Sequence, residues 1–450
     1  MKIKIFLFGV MVIQCLTACK KYLDEKPDRS RIVPGTVRDM QTLLDNPSSL
    51  NNRGGTWDEC SADNYFIPPL NYPTITEPGK DVYTWRVRDY ILSADWLTSY
   101  EQVYVSNVVL KGMEKISRDE GNKAAWDNVM GSAVFFRANA FLHLAFVFAK
   151  SYDPATAATD LGVVLRNTDD FTQSFPRSSV EDTYTRILSD LKLAAELLPV
   201  TPAHVMRPSR PAAYGLLART YLSMRQYDSC FKYANLCLQL GPQLMNYASI
   251  TVAPTATKSF TRFNTEVIFH TVIQGLSPNN LSTSICRVDS LLYKSYQADD
   301  LRKNHYFLQR PDGFQFRGSY DGTTTYFNGL AWDELYLMRA ECNARAGKIE
   351  EAMTDLNTLM AKRWKTGFIA FTATTGDEAL NMILTERRKE LLFRGLRWMD
   401  IKRLNKEGRN IVLTRTVDGV VYTLPPNDNR YAILIPMEII RLSGIEQNPQ

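Results

Sequence analysis

Histidine is the scarcest chemically versatile side chain here: four residues, at 143, 204, 270 and 305, no two of them four apart. That spacing excludes a zinc site made by two histidines on one helix face. Seven cysteines in 450 residues are too few to frame a disulfide-built miniprotein. Cys230 and Cys237 stand in one helical stretch about 10 Å apart along its axis, beyond disulfide reach, and are expected as small core residues. Lysine plus arginine exceeds aspartate plus glutamate by only 53 to 48, with no long basic run, which argues against a nucleic-acid footprint. Gly-x-x-x-x-Gly-Lys-Ser/Thr loops, dinucleotide fingerprints and Gly-x-Ser-x-Gly elbows are missing. Ser229-Cys230-Phe231-Lys232 fits Ser-x-x-Lys, but it falls inside a helix and lacks companion motifs. Neither a cofactor motif nor a metal set emerges. The paired carboxylates of a glycosidase leave no trace in a sequence, because their separation belongs to the fold.

The amino terminus carries an address. Lys2 and Lys4 precede an apolar stretch over residues 5–16, too short to span about 30 Å of hydrocarbon. Leu16-Thr17-Ala18-Cys19 follows and resembles the bacterial lipobox. Small side chains at 17 and 18 fit a narrow peptidase cleft, and the Cys19 thiol is the nucleophile that accepts a diacylglyceryl group. Residues 1–18 then read as a lipoprotein signal peptide, 19–32 as a charged, proline-bearing tether, and 33–450 as the body. Two or more acyl chains anchor a protein stably. No other apolar run is read as long enough to cross a membrane, so contact with the bilayer is expected through the lipid alone.

The whole chain is 45% hydrophobic and 22% charged, a globular composition. Its periodicity predicts a mainly α fold: tetratricopeptide-like helix pairs near 95–150, 178–240 and 333–365, in one compact domain with long loop insertions and a few short strands or hairpins. Trp96, Tyr100, Val103, Asn107 and Leu110 form one stripe; Asn107, polar on it, is expected to satisfy buried backbone. Ser178 and Glu181 read as a capping box, as do Thr375 and Glu378. A shift of 122 residues lays Ala218, Tyr221, Tyr227, Cys230, Ala234 and Cys237 on Ala340, Asn343, Ile349, Ala352, Leu356 and Leu359, with Gly347 at the turn. Long insertions between the copies argue against a continuous solenoid. A final helix is expected over 377–404, a strand over 264–273, and a hairpin around Asp418-Gly419. Glu386-Arg387-Arg388-Lys389-Glu390 reads as a structural helix with weak ion pairs and arginines that tie loops down.

Five stretches together resemble the SusD/RagB family of outer-membrane lipoproteins. They are residues 19–28 behind the lipobox, 136–142 with the Leu161-Gly162-Val163-Val164-Leu165 segment, 212–222 (AAYGLLARTYL), 386–403 (ERRKELLFRGLRWMDIKR), and the ending from Leu434-Ile435-Pro436 to Asn448-Pro449. Phe327-Asn328-Gly329-Leu330 departs from the family's arginine before the late repeat, and the acidic export signal is reduced to Asp24 and Glu25. The resemblance implies a non-catalytic, cofactor-free protein lipid-anchored in the outer membrane and exposed at the cell surface. It would hand oligosaccharide or peptide to a SusC-like TonB-dependent transporter, without nucleic acid.

Aromatic faces and a few Asp, Asn or Arg groups are enough to hold a sugar ring without chemistry. The expected ligand contacts stand on loops outside the repeats: Trp57, Asp63, Asn64, Tyr65 and Trp85 in one cluster, Phe314, Phe316, Tyr320 and Tyr326 in the other. Two alternatives remain: a tetratricopeptide-type docking lipoprotein without small ligand, and a lipid-anchored glycoside hydrolase.

Overall fold

A computed structural model describes residues 35–52, 54–88, 94–170, 172–273 and 278–450. The expected signal peptide, Cys19 and the expected tether to residue 32 lie outside these described residues. Eight of the described helices make the frame: α1 (Ala94–Met113), α2 (Lys123–Phe148), α3 (Val180–Leu197), α4 (Arg210–Ser223), α5 (Tyr227–Leu238), α6 (Trp332–Arg345), α7 (Ile349–Met360) and α8 (Gly376–Glu390). Each packs on the next in this order, and α6 also touches α8. Adding 122 to the bounds of α4 and α5 reproduces those of α6 and α7, residue for residue. Arg225 (φ 61°) and Gly347 (φ 74°) take the same left-handed turn position in the two copies.

The copies are nonetheless continuous in space, which corrects the expectation drawn from their insertions. Helix α5 packs directly on α6, and Arg339 of α6 donates to Asn235 Oδ1 of α5 at 2.9 Å. Stacking requires only that the chain return to the open face of α5; the length of the excursion in between costs little, because loop-closure entropy grows slowly with length. Helix α2 is long and apolar enough to cross a membrane by composition, a run the sequence reading passed over. Its apolar window is 89% buried inside the fold, so it is the core helix of the stack. Asn107 behaves as expected: its amide donates to the carbonyls of Arg166 and Thr168, and its oxygen accepts from Arg137. Cys230 and Cys237 are buried.

Local signals are shifted in places. Helix α3 starts one residue later than the Ser178 box, with Ser179 accepting from the Asp182 amide at 2.9 Å; Ser178 turns instead to the Val163 carbonyl. Thr375 caps α8, but Glu378 reaches back to Thr374. The helix expected over 377–404 is two, because α8 stops at Glu390 and α9 runs over Arg397–Asn405. Phe393 (φ 57°) and Gly395 (φ 69°) break it. A bulky residue held at positive φ needs tertiary support, and Phe393 has it, stacked on Tyr326 at 4.8 Å and tilted on Phe316 at 5.1 Å.

The insertion between α5 and α6 carries short antiparallel strands. Val267–Phe269 pairs with Leu330–Ala331, and Val272–Ile273 with Tyr326–Phe327, so the strand expected over 264–273 is broken after Phe269. Tyr65–Phe66 pairs with Arg287–Val288, and Phe307–Arg310 with Gly313–Phe316. The terminal hairpin Leu413–Val417/Val420–Leu424 closes through Asp418 and Gly419, both at positive φ, as a two-residue primed turn requires.

Candidate functional site

The two expected aromatic clusters meet. Strand pairing puts Tyr65–Phe66 beside Arg287–Val288, the Asp289 amide donates to the Asn64 carbonyl at 2.9 Å, and the hairpin 307–316 packs on the same strands. Yet most of the expected ligand contacts are core. Trp57, Asn64, Tyr65, Trp85, Phe316, Tyr320 and Tyr326 are all buried, which corrects their assignment as ligand contacts. The physical reason is that the chain's own guanidinium groups and rings occupy their faces. Arg415 lies 3.9 Å from the Tyr83 ring centroid, 4.8 Å from Tyr65 and 5.0 Å from Trp85. Arg394 lies over Tyr320 at 4.2 Å. Polar tips are engaged as well: Trp85 Nε1 donates to the Ser61 carbonyl, the Tyr320 hydroxyl to Glu266, and Asn64 Nδ2 to Glu59, while the buried Asn64 Oδ1 has no hydrogen-bond partner among the described residues. Asp63 stays half-buried, bound by Arg397 at 2.7 Å and Arg388 at 3.1 Å; burial pushes its carboxyl up, but those two cations outweigh it and hold it below the usual range.

Phe314 is the expected ring that remains half-exposed. Its plane stacks on Tyr293, centroids 3.6 Å apart and 14° between planes, with Phe307 edge-on to Tyr293 at 5.2 Å. Lys303 Nζ sits 5.0 Å from the Tyr293 centroid. The rim carries Arg310 and Asp312, each held by a buried partner: Arg310 donates to Gln315 at 2.8 Å, and Arg287 to Asp312 at 2.6 Å. Pro311 and Asp312 form the turn, and Gly313 takes φ 141°, closed to other residues; a Cβ there would press on Arg287 and Phe66 at 3.2–3.3 Å. Sequence reasoning missed Tyr293, Lys303, Arg310 and Gln315. A local signal existed for Tyr293: Asp289 caps the helix Ser290–Ser295 by accepting from the Leu292 amide at 2.8 Å, which puts Tyr293 on its first turn.

The family profile described as "Starch-binding associating with outer membrane" matches residues 21–222, and the SusD family profile matches residues 330–439. The two stretches cover well over half of the sequence. The chain belongs to the SusD/RagB family. Solved SusD superfamily proteins share its fold. One from Bacteroides thetaiotaomicron has TM-score 0.75 at 20% identity, covering 92% of this chain and 100% of the other. A SusD-like carbohydrate binding protein from Bacteroides vulgatus has TM-score 0.68 at 20% identity, covering 91% and 96%. A further Bacteroides vulgatus SusD superfamily protein has TM-score 0.75 at 18% identity, covering 92% and 99%. Comparison with curated proteins gives no match.

In this SusD/RagB chain the 386–403 stretch is a buried ionic hub, stronger than the surface helix pairs its spacing suggested. Arg302 is held by Asp300 at 2.7 Å, by Glu390 at 3.0 Å and by Glu386. Arg363 bridges Glu390 at 2.6 Å and Glu266 at 2.8 Å. Arg387 binds Asp400, Arg394 binds Asp333, and Arg403 binds both Asp400 and Glu341. Lys402 donates to the carbonyls of Phe146 and Ala149 at the end of α2, where the helix dipole favours a cation. The arginines do tie loops down, but through long-range contacts rather than i,i+4 neighbours.

Beneath the Gly395 turn lies a polar recess lined by Asp58, His143, Ser99, Asn139, Asn328 and Arg394, among others, with a cavity volume of about 50 Å³. That is room for a few waters, not a sugar ring. His143 Nε2 lies 3.3 Å from Asp95, and its Nδ1 lies 3.8 Å from Asp58. Burial pushes the carboxyls of Asp58 and Glu59 each up to about 7. Burial pulls the His143 imidazole down, but the Asp95 hydrogen bond and the Asp58 charge outweigh it and raise it. All three therefore hold a proton more tightly folded than unfolded, so their stabilisation is present at low pH. The carboxyl part is lost as pH rises from about 4 through 7, and the histidine part as pH rises through its folded value. Lys402, lowered by burial to about 7, acts in the opposite sense above that pH. Between pH 5 and 7.5 the melting temperature is expected to fall, and Asp58→Asn to flatten that slope and melt higher than the parent at pH 7.5. A D58N profile parallel to the parent would refute the assignment. Among the described residues no group of three or more His, Cys, Asp or Glu is arranged to hold a metal ion.

Proposed function

We propose that this protein captures carbohydrate without chemistry on the Tyr293–Phe314 platform and passes it to a partner TonB-dependent outer-membrane transporter. In this reading residues 1–18 are removed, Cys19 is acylated, and residues 19–32 tether the body to the outer membrane, on its cell-surface side. The family description, which joins starch binding to the outer membrane, supports the reading, as does the carbohydrate-binding relative of the same fold. The observation that carries it is a stacked, half-exposed ring pair edged by Lys303, Arg310 and Asp312. A sugar's C–H face packs on such a ring while its hydroxyls bond the rim.

Isothermal titration against a panel of polysaccharides and peptides tests it. Phe314→Ala is expected to weaken glycan binding at least about tenfold, the equivalent of roughly 1.4 kcal/mol, with an unchanged melting temperature. An F314A protein that binds as tightly as the parent would sink the platform; co-purification from membranes tests the transporter.

A peptide-docking reading has one observation in its favour, an open groove between the repeat copies lined by Phe231, Asn235, Arg339, Asn343 and Asp355. It predicts peptide binding that survives F314A and fails in Phe231→Ala. A hydrolase reading needs two carboxyls across a cleft wide enough for a ring. The recess beside Asp58 and His143 is too small for one, and glycan turnover by the purified protein would overturn the binding proposal.

A further inference from the structure

Helices α5 and α7 flank α6, and both pack on it. The furrow between them has a volume of about 540 Å³, with Phe231 and Asn235 on one wall, Thr354 and Asp355 on the other, and Arg339 and Asn343 on the floor. Every nitrogen of Arg339 is engaged, two by Asp355 at 2.9 and 2.7 Å and one by Asn235 Oδ1 at 2.9 Å. Asn343 is different. Its residue is 5% exposed, yet its side-chain amide lines the furrow and bonds to no described residue. A buried amide without a partner lowers stability, so its presence calls for an explanation. The repeat supplies a comparison on each side. One copy earlier, the places of Asn343 and Asp355 are taken by Tyr221 and Tyr233, whose rings stack 5.6 Å apart with 4° between planes. One copy later, the place of Asn235 is taken by Asn357, which grips the chain's own loop. Asn357 Nδ2 donates to the Phe371 carbonyl at 2.9 Å, and its Oδ1 accepts from the Phe371 amide at 2.8 Å. Phe371, Thr372 and Ala373 thereby lie along α7 beside Met353, the repeat counterpart of Phe231. One side-chain amide can bond both groups of one residue where its N–H and C=O point the same way, as in an extended chain.

We propose that the furrow between α5 and α7 docks an extended, uncharged segment of a partner polypeptide, whose main-chain N–H and C=O pair with Asn343 Oδ1 and Nδ2 as those of Phe371 pair with Asn357. The side chains of the segment lie against Phe231 and Thr354 on the two walls. Arg339 takes the donor's place at Asn235 Oδ1, which leaves Asn343 as the residue that can both give and accept. The walls carry both signs: Lys348 Nζ stands 5.5 Å from the Phe231 centroid, and Glu350 and Glu351 line the same furrow. A charged segment meets repulsion as well as attraction there, so recognition falls to the main chain and to shape. The chain's own occupant of the neighbouring face, Phe371-Thr372-Ala373, is uncharged as well. The inference rests on the groove that favours the peptide-docking reading, and it stands apart from whatever the Tyr293–Phe314 platform holds.

The probe is a fluorescein-labelled peptide copying residues 366–374, titrated into the full chain and followed by anisotropy, with thermal melting as the control for folding. Saturable one-to-one binding is expected. It should be at least about tenfold weaker in Asn343→Ala and lost in Thr354→Trp, where a bulky ring at an exposed wall position fills the furrow. Thr354→Trp should still bind glycan as the parent does, so the furrow and the platform fail separately. If Asn343→Ala does not fold, Thr354→Trp decides. A peptide that does not saturate the parent, or that binds Thr354→Trp equally well, overturns the proposal. So does a dimer in light scattering that Thr354→Trp dissolves, because the furrow would then hold a second copy of this chain.

Discussion

Replacing Arg363 with methionine is expected to cost about 3–5 kcal/mol of stability, the range for breaking one side of a buried ion pair. The guanidinium is completely buried between Glu390 and Glu266. It also donates to the Met245 carbonyl at 3.0 Å and lies 4.1 Å from the Tyr247 ring centroid. Methionine fills much of the volume but leaves two carboxylates without a shared cation. Glu266 would have to take up a proton or draw in water, while Glu390 would keep Arg302 alone. The urea midpoint reads the loss directly. Adding Glu266→Gln and Glu390→Gln to R363M should recover part of it, because neutral amides escape the charge penalty. A loss under about 1 kcal/mol in R363M would show that the network is dispensable packing.

Arg415→Met should be the next most damaging change, at about 2–4 kcal/mol. Arg415 stands on the terminal hairpin and plugs the cage of Tyr65, Tyr83 and Trp85. It donates to the carbonyls of Tyr83, Cys60 and Ala62. Removing it leaves buried acceptors unpaired and three ring faces without a cation. Arg415→Lys is expected to rescue little, since an ammonium cannot serve three carbonyls in the guanidinium plane. Thermal melting combined with limited proteolysis of the segment 413–424 checks this; early cleavage there in R415M, with little change in the repeats, is the expected pattern. A protein as resistant as the parent would contradict it.

Arg415 also explains why the aromatic expectation misled. Tyr65 and Trp85 carry the composition of a sugar platform, and from sequence nothing distinguishes a ring facing solvent from one facing an arginine some 350 residues away. The same holds for Tyr320 under Arg394. Phe314 differs because the Pro311-Asp312-Gly313 turn lifts it to the rim, and Tyr293 joins it from a separate short helix. Helix existence was legible, because periodic apolar spacing is a local property. The 122-residue repeat was legible for the same reason, although the bounds of its four helices came only with the structure. The division of 377–404 into two helices was not, since Phe393 adopts its left-handed backbone only with Tyr326 and Phe316 packed around it.

By itself, then, the order of residues determined the helical frame, its internal duplication, the two-residue terminal hairpin and the family, all of which rest on short-range spacing or on contiguous motifs. Tertiary structure alone decided that the dispersed repeat copies stack without a gap, that the Glu386–Arg403 charges sink into a long-range network, and that Phe314 stays half-buried on Tyr293 while the other expected rings sink into the core. Those outcomes depend on which distant groups compete for the same ring face or the same carboxylate, and that competition is resolved only when the chain is folded.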